Sequence, residues 1–126
     1  MLEVSNAELS VMQVLWQRQP LSANEVVVAL GGAKDWHEKT VKTLLNRLVS
    51  KGALGFEKDG RAYLYYPLIA EKDYQRQQSR SFVERLFAGR VAPLVAGFAS
   101  QKKLNADDVQ QLKQLITEWE QEQHHD

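Results

Sequence analysis

Hydroxyl and cationic side chains alternate between residues 39 and 47, at spacings that place them on one side of an α-helix. They are Lys39, Thr40, Lys42, Thr43 and Arg47, within about two helical turns of one another. A helix fits the major groove of DNA, where short side chains let its backbone approach base edges and long cations reach phosphates or guanine. Because a cationic helix face is also typical of an ordinary solvated surface, the surrounding elements must decide between the two interpretations.

The chain offers few groups for covalent or metal chemistry. It has no cysteine, which excludes disulfides, thiolate metal sites and thiol nucleophiles, and it has no glycine-rich phosphate loop or nucleophile elbow. Its histidines are His37 and the pair His124-His125, followed by Asp126. Such a pair with one carboxylate holds a divalent metal only weakly, and terminal residues usually fray. We expect a solvated tail, a surface or capping role for His37, no metal or other cofactor, and no enzymatic activity.

Two amphipathic helices are predicted before the cationic segment. Each begins with the same capping pattern, Ser5-Asn6-Ala7-Glu8 and Ser22-Ala23-Asn24-Glu25, in which a hydroxyl and a carboxylate satisfy free backbone amides. We expect the first helix over residues 5–19, because Pro20 stops it, and we expect Gly31-Gly32 to end the second.

The cationic residues themselves belong to a third predicted helix, which follows Trp36 and ends at Lys51-Gly52. Its apolar residues recur with helical periodicity on the side opposite most of the cations. They are Val41, Leu44, Leu45 and Leu48. This helix is therefore predicted to be apolar behind and basic in front.

The hydrophobic period then changes to that of a β-hairpin. Residues 53–57 and 61–66 are two strand-like runs around Lys58-Asp59-Gly60, and Asp-Gly favours tight hairpin turns. We expect Lys58 and Arg61 at the hairpin tip, where they can contact the neighbouring DNA backbone. Three helices with a basic third one, followed by such a hairpin, match the winged helix-turn-helix pattern. The predicted fold class is mainly α with a small β-hairpin.

The second half of the chain is predicted to form a helical dimerisation domain. We expect helices over 71–87, over 91–99, where Pro93 and Gly97 favour a short or bent helix, and from Asn105 onward. Their apolar residues are too few to form a core within one small domain, so we expect them to pack against a second copy. The predicted interface comprises Tyr74, Phe82, Leu86, Leu94, Phe98, Leu112, Leu115, Ile116 and Trp119. The predicted domains are therefore 1–70 and 71–126.

Charge is distributed unevenly along this chain of zero net charge. Residues 39–61 contain six basic and two acidic side chains, whereas residues 104–126 contain one basic and six acidic ones. A sequence pI of about 6.8 disfavours general DNA compaction, but leaves open a winged helix that binds another protein instead of DNA. No apolar run is long enough to span a bilayer and no secretory signal is present, so we expect a cytoplasmic protein without membrane insertion.

Taken together, these segments resemble the penicillinase repressor family, also called BlaI/MecI/CopY. The matching motifs are Ser5-Asn6-Ala7-Glu8, Val11-Met12, Leu15-Trp16, Ala23-Asn24-Glu25, Asp35-Trp36, Lys39-Thr40-Val41-Lys42-Thr43-Leu44-Leu45-Asn46-Arg47-Leu48, Lys51-Gly52 and Tyr65-Tyr66-Pro67. The resemblance covers nearly the whole chain. It implies a dimeric winged-helix repressor whose carboxyl-terminal helices intertwine and whose third helices bind a palindromic DNA operator. It also implies that the hydroxyl and cationic residues of the third helix face the DNA, together with the hairpin.

Three departures from the family pattern change what we expect. His37-Glu38 stand where members usually have Ser-Pro, so the third helix is less firmly capped, and Glu38 is expected to turn toward the helix amino end or a nearby cation. The paired Cys-x-Cys motifs of copper-responsive members are absent, which excludes copper sensing by thiolates. The cleavage site of β-lactam-responsive members aligns with Gly97-Phe98, where Gly97 replaces the usual asparagine. Proteolytic release by a membrane sensor protease is the corresponding expectation.

Overall fold

The structure, a computed structural model, describes residues 2–31 and 35–124. Within this part the elements are α1 (Asn6–Gln17), α2 (Ala23–Leu30), α3 (Glu38–Ser50), β1 (Leu54–Asp59), β2 (Ala62–Pro67), α4 (Glu71–Phe87), α5 (Val91–Ser100) and α6 (Ala106–His124). The predicted order of three helices, a hairpin and three further helices is confirmed. The chain forms two compact units, Met1–Gln78 and Ser79–Asp126.

Both predicted capping boxes are present. At the start of α1, Ser5 Oγ accepts a hydrogen bond from the Glu8 amide at 3.1 Å, and the Ser5 amide donates to Glu8 Oε1 at 2.8 Å. At the start of α2, Ser22 and Glu25 form the same two bonds, at 3.2 and 3.0 Å. Gly31 is the C-cap of α2, with φ of +44°; Gly32, the other half of the predicted terminator, lies outside the described residues.

The core of the first unit lies where the apolar faces of α1, α2 and α3 meet the base of the hairpin. Its buried side chains are Val11, Met12, Leu15, Leu21, Ala23, Val26, Leu30, Val41, Leu44, Leu45, Leu48, Ala53, Leu54 and Tyr65. All four apolar residues predicted for the back of α3 are in this set. The cationic helix is thus held to the protein by its apolar face, as its periodicity predicts.

The hairpin is attached to the helices by one short bridge. β1 and β2 are antiparallel, with Leu54 opposite Pro67 and Asp59 opposite Ala62. The Leu21 amide donates to the Tyr65 carbonyl oxygen at 3.1 Å, and the Tyr65 amide donates to the Leu21 carbonyl oxygen at 2.8 Å. The sheet base is therefore continuous with the segment between α1 and α2.

The hairpin turn lies later than the sequence suggests. Its two loop residues are Gly60 and Arg61, whereas Lys58 lies within β1, opposite Tyr63. Gly60 has φ of +62°, which a glycine adopts at little cost and which lets the chain reverse within two residues. Placing Lys58 in the turn was therefore wrong, although its side chain remains exposed.

The first turns of α4 belong to the compact unit that contains the hairpin, so this unit continues to Gln78. Tyr74 is only 7% exposed, and its ring centroid lies 5.8 Å from that of Trp16. Trp16 Nε1 in turn donates to the Ile69 carbonyl oxygen at 2.9 Å. The start of α4 is packed here because two aromatic side chains hold it against α1.

The second unit, as far as its residues are described, has no buried core of its own. In its described part, 79–124, no residue is buried. Leu86, Leu115, Ile116 and Trp119 are each about three-fifths exposed, at 60%, 60%, 58% and 61%. No described helix is both long and apolar enough to cross a membrane. The apolar stripe of α6 is therefore exposed over most of its length, with Leu112 half-buried.

Replacing Leu45 with alanine tests the role of the α3 face in stability. Because Leu45 is fully buried, we expect Leu45→Ala to lower the free energy of unfolding by about 2–5 kcal/mol. The control is Val28→Ala, at a site 71% exposed, with an expected change of about 0.5 kcal/mol or less. Urea denaturation at one protein concentration measures both, and equal losses would contradict the assigned core.

Candidate nucleic-acid interface

The outward face of α3 collects all of the polar side chains that the sequence singles out in this helix. Lys39, Thr43 and Arg47 follow one another at intervals of four, so they lie in a row along the helix. The exposed residues of this face are Lys39, Thr40, Lys42, Thr43, Asn46 and Arg47. The inward face is fully occupied by core packing, so the helix cannot turn these side chains away from solvent without losing that burial.

The cations on this face differ in how far they are neutralised within the protein. Lys42 Nζ lies 3.5 Å from Glu38 Oε1, and the two side chains are 59% and 51% exposed. In the described part of the chain, Lys39 and Arg47 form no ion pair. An exposed pair one turn apart is weak and screened by salt. The face therefore presents positive charge to solvent, and Glu38 turns toward a nearby cation as predicted.

The amino end of α3 lacks a side-chain cap. His37 occupies the N-cap position and makes no capping hydrogen bond with its side chain. The expectation of a less firmly capped helix, based on the replacement of Ser-Pro by His37-Glu38, is confirmed. The free amides of the first turn remain available to an anion, which helix amino ends favour.

Thr43 uses its hydroxyl proton within the helix. Its Oγ1 donates to the Lys39 carbonyl oxygen at 3.1 Å. A hydroxyl has one proton and two lone pairs, so Thr43 presents its methyl group and an acceptor outward. It can contact a thymine methyl group or accept a hydrogen bond from a base edge.

The hairpin adds two more exposed cations, Lys58 and Arg61. No carboxylate within the described ranges pairs with either of them. Phe56 and Tyr63 lie beside Lys58, with their rings in an edge-to-face arrangement at a centroid distance of 5.4 Å. The aromatic pair stiffens the strands that present Lys58.

Proteins of known family resemble this chain in sequence and in fold. The sequence profile of the penicillinase repressor family matches residues 4–118. The chain belongs to the penicillinase repressor family. The match includes α1 to α5 and most of α6, so membership applies to both compact units.

Two relatives illustrate how much of a family member this chain represents. It is 37% identical over 116 residues to the penicillinase repressor of Bacillus licheniformis, covering 92% of this chain and 91% of the relative. It is 32% identical over 114 residues to the methicillin resistance regulatory protein MecI of Staphylococcus aureus, covering 90% of this chain and 93% of the relative. The alignments therefore cover at least 90% of this chain and of each relative.

Solved structures of repressors match the first unit. The DNA-binding domain of the repressor BlaI is 44% identical, with a TM-score of 0.53, covering 58% of this chain and 89% of that domain. The monomeric form of Bacillus licheniformis BlaI in complex with the blaP half-operator is also 44% identical, with a TM-score of 0.50, covering 57% of this chain and 88% of that one. The winged-helix fold predicted from the sequence is confirmed.

One residue on the α3 face escaped the sequence analysis. Asn46 is exposed and lies four residues after Lys42 and three after Thr43, hence in the middle of the same face. Its amide can form two hydrogen bonds with the major-groove edge of adenine. Its spacing from Lys42 and Thr43 already places it on this face, but an amide is neither a cation nor a hydroxyl, the side-chain types that define the face in the sequence.

The predicted cleavage site lies inside a helix. Gly97 and Phe98 are in α5 (Val91–Ser100), where the Gly97 carbonyl oxygen accepts from the Gln101 amide at 3.3 Å. Phe98 is 46% exposed. Because proteases preferentially cut exposed loop tips, a protease acting here must first unwind part of α5. The site stays a prediction.

Of the predicted terminal group His124, His125 and Asp126, the structure describes only His124. His124 ends α6, whereas His125 and Asp126 lie outside the described part. Among the residues that are described, no cluster of three or more metal-binding side chains occurs.

Removing the charge of Glu38 tests the electrostatics of the α3 face. Glu38→Gln frees Lys42 and removes a negative charge from the cationic surface, so we expect about two- to threefold tighter binding to duplex DNA. Helix stability should fall by a few tenths of a kcal/mol, because an acid is lost from the first turn. Fluorescence anisotropy at fixed salt measures the affinity, with Glu71→Gln on α4 as the charge-matched control. Weaker binding by Glu38→Gln would instead place its carboxylate in a favourable contact with DNA.

Proposed function

We propose that this chain is a DNA-binding transcriptional repressor that occupies a palindromic operator as a homodimer. Each protomer places the outward face of α3 in a major groove and sets Lys58 and Arg61 of the hairpin against the adjacent backbone. The observation that supports this most strongly is the exposed α3 face, where Lys39 and Arg47 have no ion-pair partner in the described part of the chain.

The likeness to a protein solved with DNA supports DNA binding by this chain. The solved complex contains monomeric BlaI with a half-operator, and the matching part of this chain is its winged-helix unit. A half-operator bound by one protomer implies that a full operator takes two. A two-fold operator and a two-fold protein then match each other in symmetry.

The exposed apolar residues of the second unit supply the proposed dimer interface. They are Phe82, Leu86, Leu94, Phe98, Leu112, Leu115, Ile116 and Trp119, each exposed or half-buried in the single chain. Tyr74 is left out of this interface because it already packs against Trp16. Burying this set against a second copy would create the core that the second unit lacks.

Repression in this proposal needs no chemistry by the chain itself. The repressor acts in the cytoplasm, without a cofactor, by blocking access to the promoter. Its release is linked to an inducer through proteolysis at Gly97-Phe98, for which a membrane sensor protease is the proposed partner.

Operator binding and the Arg47→Ala variant test the proposed DNA surface. We expect a gel shift with DNA from upstream of the chain's own gene that persists in excess unrelated DNA. If each protomer neutralises about four phosphates, the slope of log K against log salt for the dimer should be about −7, at roughly −0.9 per phosphate. Arg47→Ala should weaken binding about fivefold or more, since losing one arginine contact costs about 1–3 kcal/mol. Thermal melting checks that the variant remains folded.

The matched control is Arg76→Ala, which removes an exposed arginine paired at 3.7 Å with Asp73, outside the proposed surface. It should leave operator affinity unchanged. Unchanged affinity in Arg47→Ala would overturn the assignment of α3. No specific shift with wild-type protein would favour the alternative, a winged-helix module that binds another protein.

Trp119→Ala tests the dimer interface. Because Trp119 is 61% exposed in the single chain and lies on the apolar stripe of α6, its truncation should raise the dimer dissociation constant at least about tenfold. Sedimentation equilibrium at low micromolar concentration measures this constant, and Val28→Ala on α2 is the control. A Trp119→Ala protein with the wild-type dissociation constant would contradict the proposed pairing.

A further inference from the structure

Glu8 is the only charged or polar residue that is buried in the described part of the chain. Its relative exposure is 1%. Oε1 accepts two hydrogen bonds, from the Ser5 amide at 2.8 Å and from Lys51 Nζ at 2.6 Å. Oε2 is buried and has no partner among the described residues. Burying a carboxylate is costly unless it is paired, so its position calls for a reason beyond helix capping.

The second capping box provides an internal comparison. Glu25 makes the same two bonds with Ser22, but it is exposed and makes no salt bridge within the described ranges. Capping therefore does not require burial. What distinguishes Glu8 is its bond to Lys51.

Lys51 lies at the junction between the two proposed DNA-contacting elements. It is the C-cap of α3, and its amide donates to the Arg47 carbonyl oxygen at 3.0 Å. Two residues later, the Ala53 amide donates to the Leu48 carbonyl oxygen at 2.9 Å, just before β1 begins at Leu54. The bond to Glu8 therefore holds the carboxyl end of α3, one turn after Arg47, at the point where the hairpin starts.

The ionised form of Glu8 is the one that this site selects. Burial by itself raises the pKa of Glu8, but the hydrogen bonds from Lys51 and Ser5 outweigh it, and the pKa lies below its usual value of 4.5. The Lys51 ammonium also lies at a helix carboxyl end, where positive charge is favoured. Glu8 is thus ionised throughout the neutral range.

The segment that precedes Glu8 is itself held in place. Gln78 Nε2 donates to the Leu2 carbonyl oxygen at 3.2 Å, and Tyr74 is hydrogen-bonded to the Val4 backbone. Glu8 is thus positioned by its own helix, α1, and by the contact of the preceding segment with α4, in addition to its bond with the end of α3. A fixed carboxylate can set the position of the mobile ammonium bonded to it.

We propose that Glu8 is a positioning residue for DNA recognition, which acts through Lys51 to fix the end of α3 relative to the hairpin. The inference rests on the proposed function. With the Glu8–Lys51 pair intact, α3 and the hairpin are already ordered relative to each other when their cations contact one DNA duplex. Without it, the junction keeps its backbone hydrogen bonds and the protein folds, but part of the binding free energy is lost in ordering the two elements.

Glu8→Gln separates this role from simple electrostatics by the sign of its effect. Glutamine preserves the capping bond from Ser5 but removes the charge that holds Lys51. The substitution also raises the net charge by one and leaves Lys51 unpaired, so general attraction to DNA would tighten binding. A positioning role predicts the opposite, with operator affinity falling about five- to tenfold at fixed salt.

Glu25→Gln is the matched control, because it makes the same change in the second capping box, where the glutamate has no lysine partner among the described residues. It should bind operator as tightly as the wild type or slightly more tightly. Thermal melting identifies the temperatures at which each variant is folded, and operator affinity is measured below them. At those temperatures, a substitution that only lowers folding stability leaves operator affinity unchanged. Lys51→Arg, made with Glu8 intact, keeps an ion pair within reach and should retain more operator affinity than Glu8→Gln.

If Glu8→Gln does not fold, the double variant Glu8→Gln with Lys51→Met removes both charges together and takes its place. It should show the same weakened operator binding. Operator affinity equal to or above that of the wild type in the folded variant overturns the positioning role alone. Failure of the wild-type chain to bind operator overturns the proposed function, and this inference with it.

Discussion

The proposed DNA surface depends on the burial of one face of α3. Val41, Leu45 and Leu48 are fully buried, and in a helix of 3.6 residues per turn this leaves the opposite side facing solvent. Rotating α3 far enough to hide Lys39 or Arg47 would expose several leucine side chains, each worth about 1.5–3 kcal/mol of burial. The core thereby determines which side chains can contact a ligand.

The two glutamates that pair with lysines near α3 act under different physical conditions. Glu38 and Lys42 are both more than half exposed at 3.5 Å, so water and salt weaken their attraction. Glu8 is buried, and its side chain meets Lys51 Nζ at 2.6 Å, where breaking the pair would leave an uncompensated charge. The Glu38–Lys42 pair adjusts the charge of the surface, whereas the bond between buried Glu8 and partly exposed Lys51 connects separate elements of the fold.

The two compact units differ in how much of their apolar surface they cover. In the first, three helices and the hairpin base enclose a continuous core. In the described part of the second, the apolar side chains of α5 and α6 are exposed or half-buried, and none is buried. A small unit buries too little of its surface to be stable alone, and in the proposed homodimer a second copy supplies a matching apolar surface by symmetry. In this proposal, DNA binding belongs to the unit that has its own buried core, and dimerisation belongs to the unit that needs a second copy to cover its apolar side chains.

The helices, both capping boxes and the two faces of α3 could be predicted from the sequence, because these features depend on residues within about four positions of one another. The sequence also identified the exposed cations, but placed Lys58 in the turn, since the register of β1 and β2 depends on pairing across the hairpin. Two long-range contacts could not be predicted and emerge from the folded chain. Tyr74 packs against Trp16, which places the first turns of α4 in the first unit, and Glu8 bonds to Lys51. These partners are 43 or more residues apart, and periodicity along a chain carries no information about which distant side chain will share a buried site.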